Sequence, residues 1–202
     1  MKKLKIPKNR LRKLKTFSLG KKPFELLSLN SHNQKLIDLC SNDYFGLSRD
    51  KDLIQAAFEI SLSEGLGSGS SRFITGSRPI HQLLEKELAK WLNQEKVLLF
   101  PSGFQANIAA VQALANRNSI VIADKFIHNS LLVGIKAAQS KLVRFAHNDL
   151  EDLENKICKF NSTQNSILII VESLYSMEGS IAPLKEITKI CKKYNVELLI
   201  DE

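Results

Sequence analysis

Five short apolar runs between residues 97 and 200 constrain the fold of the chain more than any other feature. VLLF (97–100), SIVIA (119–123), KLVRF (141–145), SILIIV (166–171) and VELLI (196–200) each have the length of a strand. They read as nearly continuous hydrophobic stretches and not as alternation, the pattern of strands covered on both faces. Between them, apolar residues recur with a helical period. Ile80, Leu83, Leu84, Leu88 and Trp91 share one face, as do Leu150, Leu153, Ile157 and Phe160, and again Leu184, Ile187, Cys191 and Tyr194. Asn148 and Glu151 have capping-box spacing at the head of the second helix, and Pro183 falls in the first turn of the third. Strands alternating with crossover helices predict a mostly parallel, three-layer α/β sheet.

Length and composition agree with one large domain plus an appendage. The 202 residues are 44% hydrophobic, enough to bury a core. The appendage is expected over residues 1–45, a basic start with Leu4, Leu11 and Leu14 followed by short extended runs such as KLIDLC, and the main domain over 46–202. The formal charge of +8 is concentrated at the start: ten of the 29 basic residues lie in the first 22 positions, which hold no Asp or Glu. The remainder is close to neutral and lacks the interleaved basic and aromatic residues of a nucleic-acid surface. No apolar run approaches the roughly 20 residues of a spanning helix, and the amino terminus has no signal-peptide core. A cytoplasmic protein is expected. Cys40, Cys158 and Cys191, with four histidines, show no metal-ligand spacing, so no zinc site is expected.

Ligands of open α/β sheets sit beyond the carboxyl ends of the strands, and the polar residues there are informative. In FPSGFQAN a strand runs into a Pro-Ser-Gly turn and then a helix, so Gly103 and Phe104 present unpaired N–H groups suited to an anion. The turn matches neither the Walker pattern nor the dinucleotide fingerprint. His128 follows the second strand, Glu172 and Ser176 follow the fourth, and Asp201 closes the fifth. No serine lies in a nucleophile elbow. The glycine- and serine-rich stretch from Gly65 to Gly76 fits either close approach by a ligand or second subunit, or a mobile connector. Backbone donors for a phosphate, a carboxylate to keep a pyridine nitrogen protonated and an imidazole to cover a ring are what pyridoxal 5'-phosphate (PLP) requires.

SNDYFGLS (41–48), GSGSSRFITGSRPIHQLLEKELAKWL (67–92), FPSGFQAN (100–107), ADKFIHNSLLVG (123–134), RFAHNDLEDLE (144–154), ESLYSMEGSIAPL (172–184) and LLIDE (198–202) together resemble the α-oxoamine synthases of the type I PLP enzymes. The resemblance implies the incomplete major domain of that fold. It implies phosphate binding by the backbone of Gly103 and Phe104, ring stacking and substrate contact by His128, cofactor contact by Ser176 and a pyridine-nitrogen partner in Asp201. Glu172 corresponds to a glutamate near the cofactor, Asn42 to an amide that orients substrate, and Arg12 to an arginine that contacts the acyl substrate. The implied reaction is decarboxylative condensation of an amino acid with an acyl-CoA or acyl carrier protein, carried out by a homodimer with no nucleic-acid or membrane partner. GFQAN and RFAHND point to the biotin-synthesis branch of the family, and a glycine-using acetyltransferase or an inactive binding module are the alternatives. In the family a Schiff-base lysine and a carboxyl-terminal domain follow the position of Asp201. The 202 residues are therefore expected to be an amino-terminal half, inactive alone, with an apolar edge left open at the last strand.

Overall fold

The computed structural model describes residue 11 and residues 14–22, 24–28, 34–161 and 165–202. They form two compact units, Met1–Gln82 and Leu83–Glu202. In the first, strands β1 (Phe17–Leu19), β2 (Glu25–Ser28) and β3 (Gln34–Ile37) form an antiparallel meander in the order β1-β2-β3. Helix α1 (Lys51–Glu64) follows, capped by Asp50, whose carboxylate accepts the N–H groups of Asp52 and Leu53, both at 3.0 Å. No residue of α1 is buried, and Leu53, Ile54 and Phe58 stand exposed along it. The glycine- and serine-rich stretch closes with a π-helical turn, Arg72–Gly76, before helix α2 (Pro79–Trp91). A side chain at Gly76 would run into the Ser70 carbonyl, so the tightness of this turn accounts for one of the four glycines.

The second unit carries the parallel sheet. Helix α3 (Gly103–Leu114), β4 (Ile120–Asp124), α4 (Asn129–Ala137), β5 (Lys141–Phe145), α5 (Leu150–Asn161), β6 (Ile167–Glu172), α6 (Leu184–Tyr194) and β7 (Glu197–Asp201) follow in turn. The strand order is β5-β4-β6-β7, every pair parallel. The continuous apolar runs have the expected cause. Ile120, Ile122, Ile167, Ile169 and Val171 point to one face and pack with Leu153 and Ile157 of α5 and Ile187 and Cys191 of α6. Val121, Ala123, Leu168 and Ile170 point to the other and pack with Val111 of α3 and Leu131 and Ile135 of α4. This is the expected mostly parallel, three-layer α/β architecture. Helices α3 and α4 come together at Gly134, where a methyl group would lie 2.9 Å from the Val111 Cβ.

Two local expectations need correction. Residues 97–100 form no strand and join neither sheet. The Leu99 N–H, which a ladder would need, donates instead to the Glu85 carboxylate at 3.0 Å. At the head of α5 the cap is Asp149 and not Asn148: Asp149 Oδ1 accepts the Asp152 N–H at 2.9 Å, and Asp152 reaches back to the Ala146 N–H at 2.8 Å. Asn148 is left-handed (φ 56°), a conformation asparagine tolerates, and its amide donates to the Ile181 carbonyl at 3.2 Å. Of the basic start of the chain, residues 1–10, 12 and 13, with Leu4, lie outside the described residues, and Leu11 and Leu14 are exposed.

Candidate cofactor site

At the carboxyl edge of the sheet, backbone geometry brings distant side chains together. Glu172 and Asp201 are opposite each other in the β6–β7 register. His128 forms the N-cap of α4, and its backbone N–H donates to the Glu172 carboxylate. Asp201 Oδ2 accepts a hydrogen bond from Asn107 Nδ2 of α3 at 2.8 Å, and the same nitrogen lies 3.0 Å from Ser130 Oγ. Ser130 Oγ in turn lies 2.7 Å from His128 Nδ1. Asp201, Asn107, Ser130 and His128 thus form one connected chain, with Glu172 attached through the backbone of His128.

Helix α3 begins beside this cluster. Ser102 caps it, accepting the Gln105 N–H at 3.3 Å. The N–H groups of Gly103 and Phe104 have no partner among the described residues, as expected of the first turn of a helix. The Phe104 ring meets His128 edge-on, with centroids 6.3 Å apart and an interplanar angle of 86°. Of the residues expected at the site, Gly103, Phe104, His128, Glu172 and Asp201 therefore converge. Ser176 is exposed on the turn after β6 and makes no side-chain hydrogen bond among the described residues. Asn42 lies on an exposed bend of the first unit, and Arg12 lies outside the described residues.

Asn107 and Ser130 were not singled out from sequence. An amide inside a helix and a serine at its second position carry no local signal, and their roles come from partners far away in the chain. A second polar cluster was also missed. The fully buried Asp124 accepts from the Phe126 N–H (2.8 Å) and the Asn148 N–H (2.9 Å) and pairs with His147 Nδ1 (2.9 Å). His147 Nε2 lies 2.7 Å from Ser180 Oγ, and the His147 ring packs edge-on against Tyr175, with centroids 4.5 Å apart. The cluster ties the ends of β4 and β5 to the 172–182 turn. Asp124 anchors this turn region, as its position after the strand implies. Burial and the neighbouring Asp124 carboxylate push the Tyr175 hydroxyl well above its ordinary pKa.

Burial also raises the Glu172 carboxyl above its ordinary 4.5. The His128 N–H opposes this, while the charges of Asp201 and Asp124 add to it. A carboxyl more easily protonated in the folded state favours folding at low pH, and that contribution is lost as pH rises through its raised value. Glu172→Gln, which keeps an oxygen for the His128 N–H and removes the charge, is expected to flatten the fall in stability with pH above about 4.5. Glu172→Ala strands the N–H and is expected to cost about 1–3 kcal/mol. Urea melts of the three proteins from pH 4 to pH 8 test both outcomes.

A helix amino terminus, a carboxylate and an imidazole at the carboxyl ends of parallel strands define an α/β protein built to hold a flat, phosphate-bearing cofactor. Residues 34–202 match the family described as aminotransferase class I and II, and the chain belongs to that family. It is 37% identical over 169 residues to 8-amino-7-oxononanoate synthase of Anaeromyxobacter sp., covering 84% of this chain and 42% of that one. It is 38% identical over 174 residues to the enzyme of the same name from Salmonella paratyphi B, covering 86% and 45%. Among solved structures, serine palmitoyltransferase of S. paucimobilis with a bound PLP–myriocin aldimine superposes with a TM-score of 0.87 at 30% identity, covering 94% of this chain and 46% of that one. The 8-amino-7-oxononanoate synthase of Francisella tularensis superposes at 0.68 with 32% identity, covering 83% and 45%. The resemblance to the α-oxoamine synthases is borne out, and the chain spans less than half the length of these relatives. The expected cofactor is the one the solved serine palmitoyltransferase holds.

The residues present fit that cofactor. Two unpartnered N–H groups at the start of α3 suit its phosphate. Asp201 has one oxygen engaged by Asn107, and no protein donor among the described residues takes the other. His128 is exposed, with its ring 6.3 Å from that of Phe104 and tied to Asp201 through Ser130 and Asn107.

Proposed function

We propose that this chain is the cofactor-binding part of a PLP-dependent acyltransferase that condenses L-alanine with a pimeloyl thioester, on CoA or a carrier protein. The condensation proceeds with loss of carbon dioxide and gives 8-amino-7-oxononanoate for biotin synthesis. The observation that carries the reading is the Asp201–Asn107–Ser130–His128 chain beside the free N–H groups of α3. When bound, PLP supplies a ring that takes up the electron pair left at the α-carbon of the amino acid.

The chain's own residues do the rest. Gly103 and Phe104 would bind the phosphate through their N–H groups. Asp201 holds a proton on the pyridine nitrogen, since an adjacent negative charge favours the protonated form. His128 covers the ring face and orients the acyl group. Glu172 fixes the backbone of His128, and Ser176 closes on the cofactor from the turn after β6. Asn42 and Arg12 orient the two substrates, and the basic start of the chain suits a carboxylate-bearing or CoA-linked acyl group. Residues 1–45 serve as an arm and 46–202 as the cofactor-binding domain. A homodimer in the cytoplasm completes the proposal. The exposed apolar side chains of α1, with Phe73 and Ile74 in the glycine- and serine-rich stretch, support a covering surface.

The high structural similarity to serine palmitoyltransferase favours one further reading, a sibling acyltransferase with a different amino acid and acyl-CoA. The test is a panel of L-alanine, glycine and L-serine against pimeloyl-, acetyl- and palmitoyl-CoA, following thiol release by the holoenzyme. Preference for L-alanine with pimeloyl-CoA is expected. Another preferred pair makes the protein a sibling enzyme, and PLP binding without thiol release makes it a binding module.

A further inference from the structure

The hydrogen-bond chain at the sheet edge has a direction. A carboxylate can only accept, so the Asn107 atom 2.8 Å from Asp201 Oδ2 is the amide nitrogen, and this fixes an orientation that the amide's shape alone does not. Its second hydrogen goes to Ser130 Oγ at 3.0 Å, where Ser130 therefore accepts. Ser130 has one hydrogen of its own, and the remaining partner is His128 Nδ1 at 2.7 Å. A second donor reaches the same nitrogen independently: the backbone N–H of Ser130, at 3.2 Å, which cannot act as an acceptor. With two donors aimed at its lone pair, Nδ1 has no place for a proton. Ser130 is fully buried, so water does not compete for its hydroxyl.

We infer that Asn107 and Ser130 are positioning residues that relay the orientation of the Asp201 carboxylate to His128 and lock its ring as the Nε2–H tautomer. Nε2 has no protein partner among the described residues, and His128 is exposed. The ring therefore presents a hydrogen-bond donor to whatever lies beside it and keeps its only lone pair turned inward. Under the proposed function, which this consequence rests on, His128 meets an oxygen acceptor of the substrate as a donor and does not take up a proton through Nδ1. The pyridine-nitrogen partner and the stacking ring are then set by one amide.

The test is the tautomer itself, read by long-range proton–nitrogen correlation on the chain labelled with ¹⁵N-histidine near neutral pH. His128→Gln identifies the signals. Pyridine-like Nδ1 and pyrrole-like Nε2 signals are expected for His128. A protonated Nδ1, or signals averaged between the two tautomers, overturns the inference without any variant being made. Ser130→Ala and Asn107→Leu are expected to shift both signals toward the average, and Ser130→Thr, which keeps the hydroxyl, is expected to restore them. Unchanged signals in the Ala variant reduce Ser130 to a packing role and overturn the relay. PLP is then added to the wild-type chain. The expected tautomer without PLP binding refutes the cofactor reading and leaves the relay standing, and PLP binding with the opposite tautomer does the reverse.

Discussion

Turnover of the holoenzyme is expected to fall on the order of 100- to 1,000-fold when Asp201 is changed to Asn, the range seen when one preorganised electrostatic partner is removed from an active site. The substitution is nearly isosteric. An asparagine side chain on β7 still offers an oxygen to Asn107, and the register opposite Glu172 is a backbone property that it leaves alone. What disappears is the charge. An adjacent carboxylate shifts a cationic group by roughly 1–3 pKa units toward its protonated form, and without it the pyridine nitrogen loses its proton near neutral pH. The bound cofactor's absorbance is expected to change with the activity, which separates this outcome from a folding defect. Glu202→Gln, at an exposed neighbouring position, is the control that should behave as wild type. An Asp201→Asn protein with full activity would remove Asp201 from the site.

The largest stability effect is expected at Ile169. It is fully buried at the centre of β6, between Ile122 of β4 and Leu198 of β7 in register, and packs in the cluster formed with α5 and α6. Ile169→Ala removes side-chain carbons from a space closed by strands on both sides and helices above, so the gap cannot collapse readily. A cost of about 2–5 kcal/mol is expected, read as a lower denaturation midpoint at unchanged slope. Lys189→Ala, at an exposed position of α6, should change stability by less than about 0.5 kcal/mol. If the two variants melted alike, the assignment of the core to the parallel sheet would fail.

How much of this was legible in the sequence depends on how local each signal is. Strands β4 and β6 were readable because burial on both faces leaves an uninterrupted apolar run, whereas β5 and β7, at the edges of the four-strand order, are only partly buried and were read from the same short apolar pattern. KLVRF at 141–145 coincides with β5 to the residue. VLLF at 97–100 carries the same composition and is not a strand, because pairing depends on a partner that no residue in the run specifies. The cap of α5 was misplaced by one residue because Asn148, Asp149 and Asp152 all have capping side chains, and only the left-handed turn at Asn148 selects Asp149. At the site, the residues next to strand ends and helix starts were visible because topology places them. Asn107 was invisible because it sits in a helix and meets its partner across 94 residues of sequence.

That separation has a consequence for how the protein is made. A ribosome adding about 5–20 residues per second produces Asp201 about 5–20 s after Asn107. Helices α3 and α4 can pair long before then, since their contact is local in the chain. The amide's carboxylate partner does not yet exist, and parallel strands joined by crossover helices are slow to close. The cofactor pocket is therefore the last part of this unit to be finished, and a nascent chain with a folded α3–α4 pair is still unable to grip its ligand.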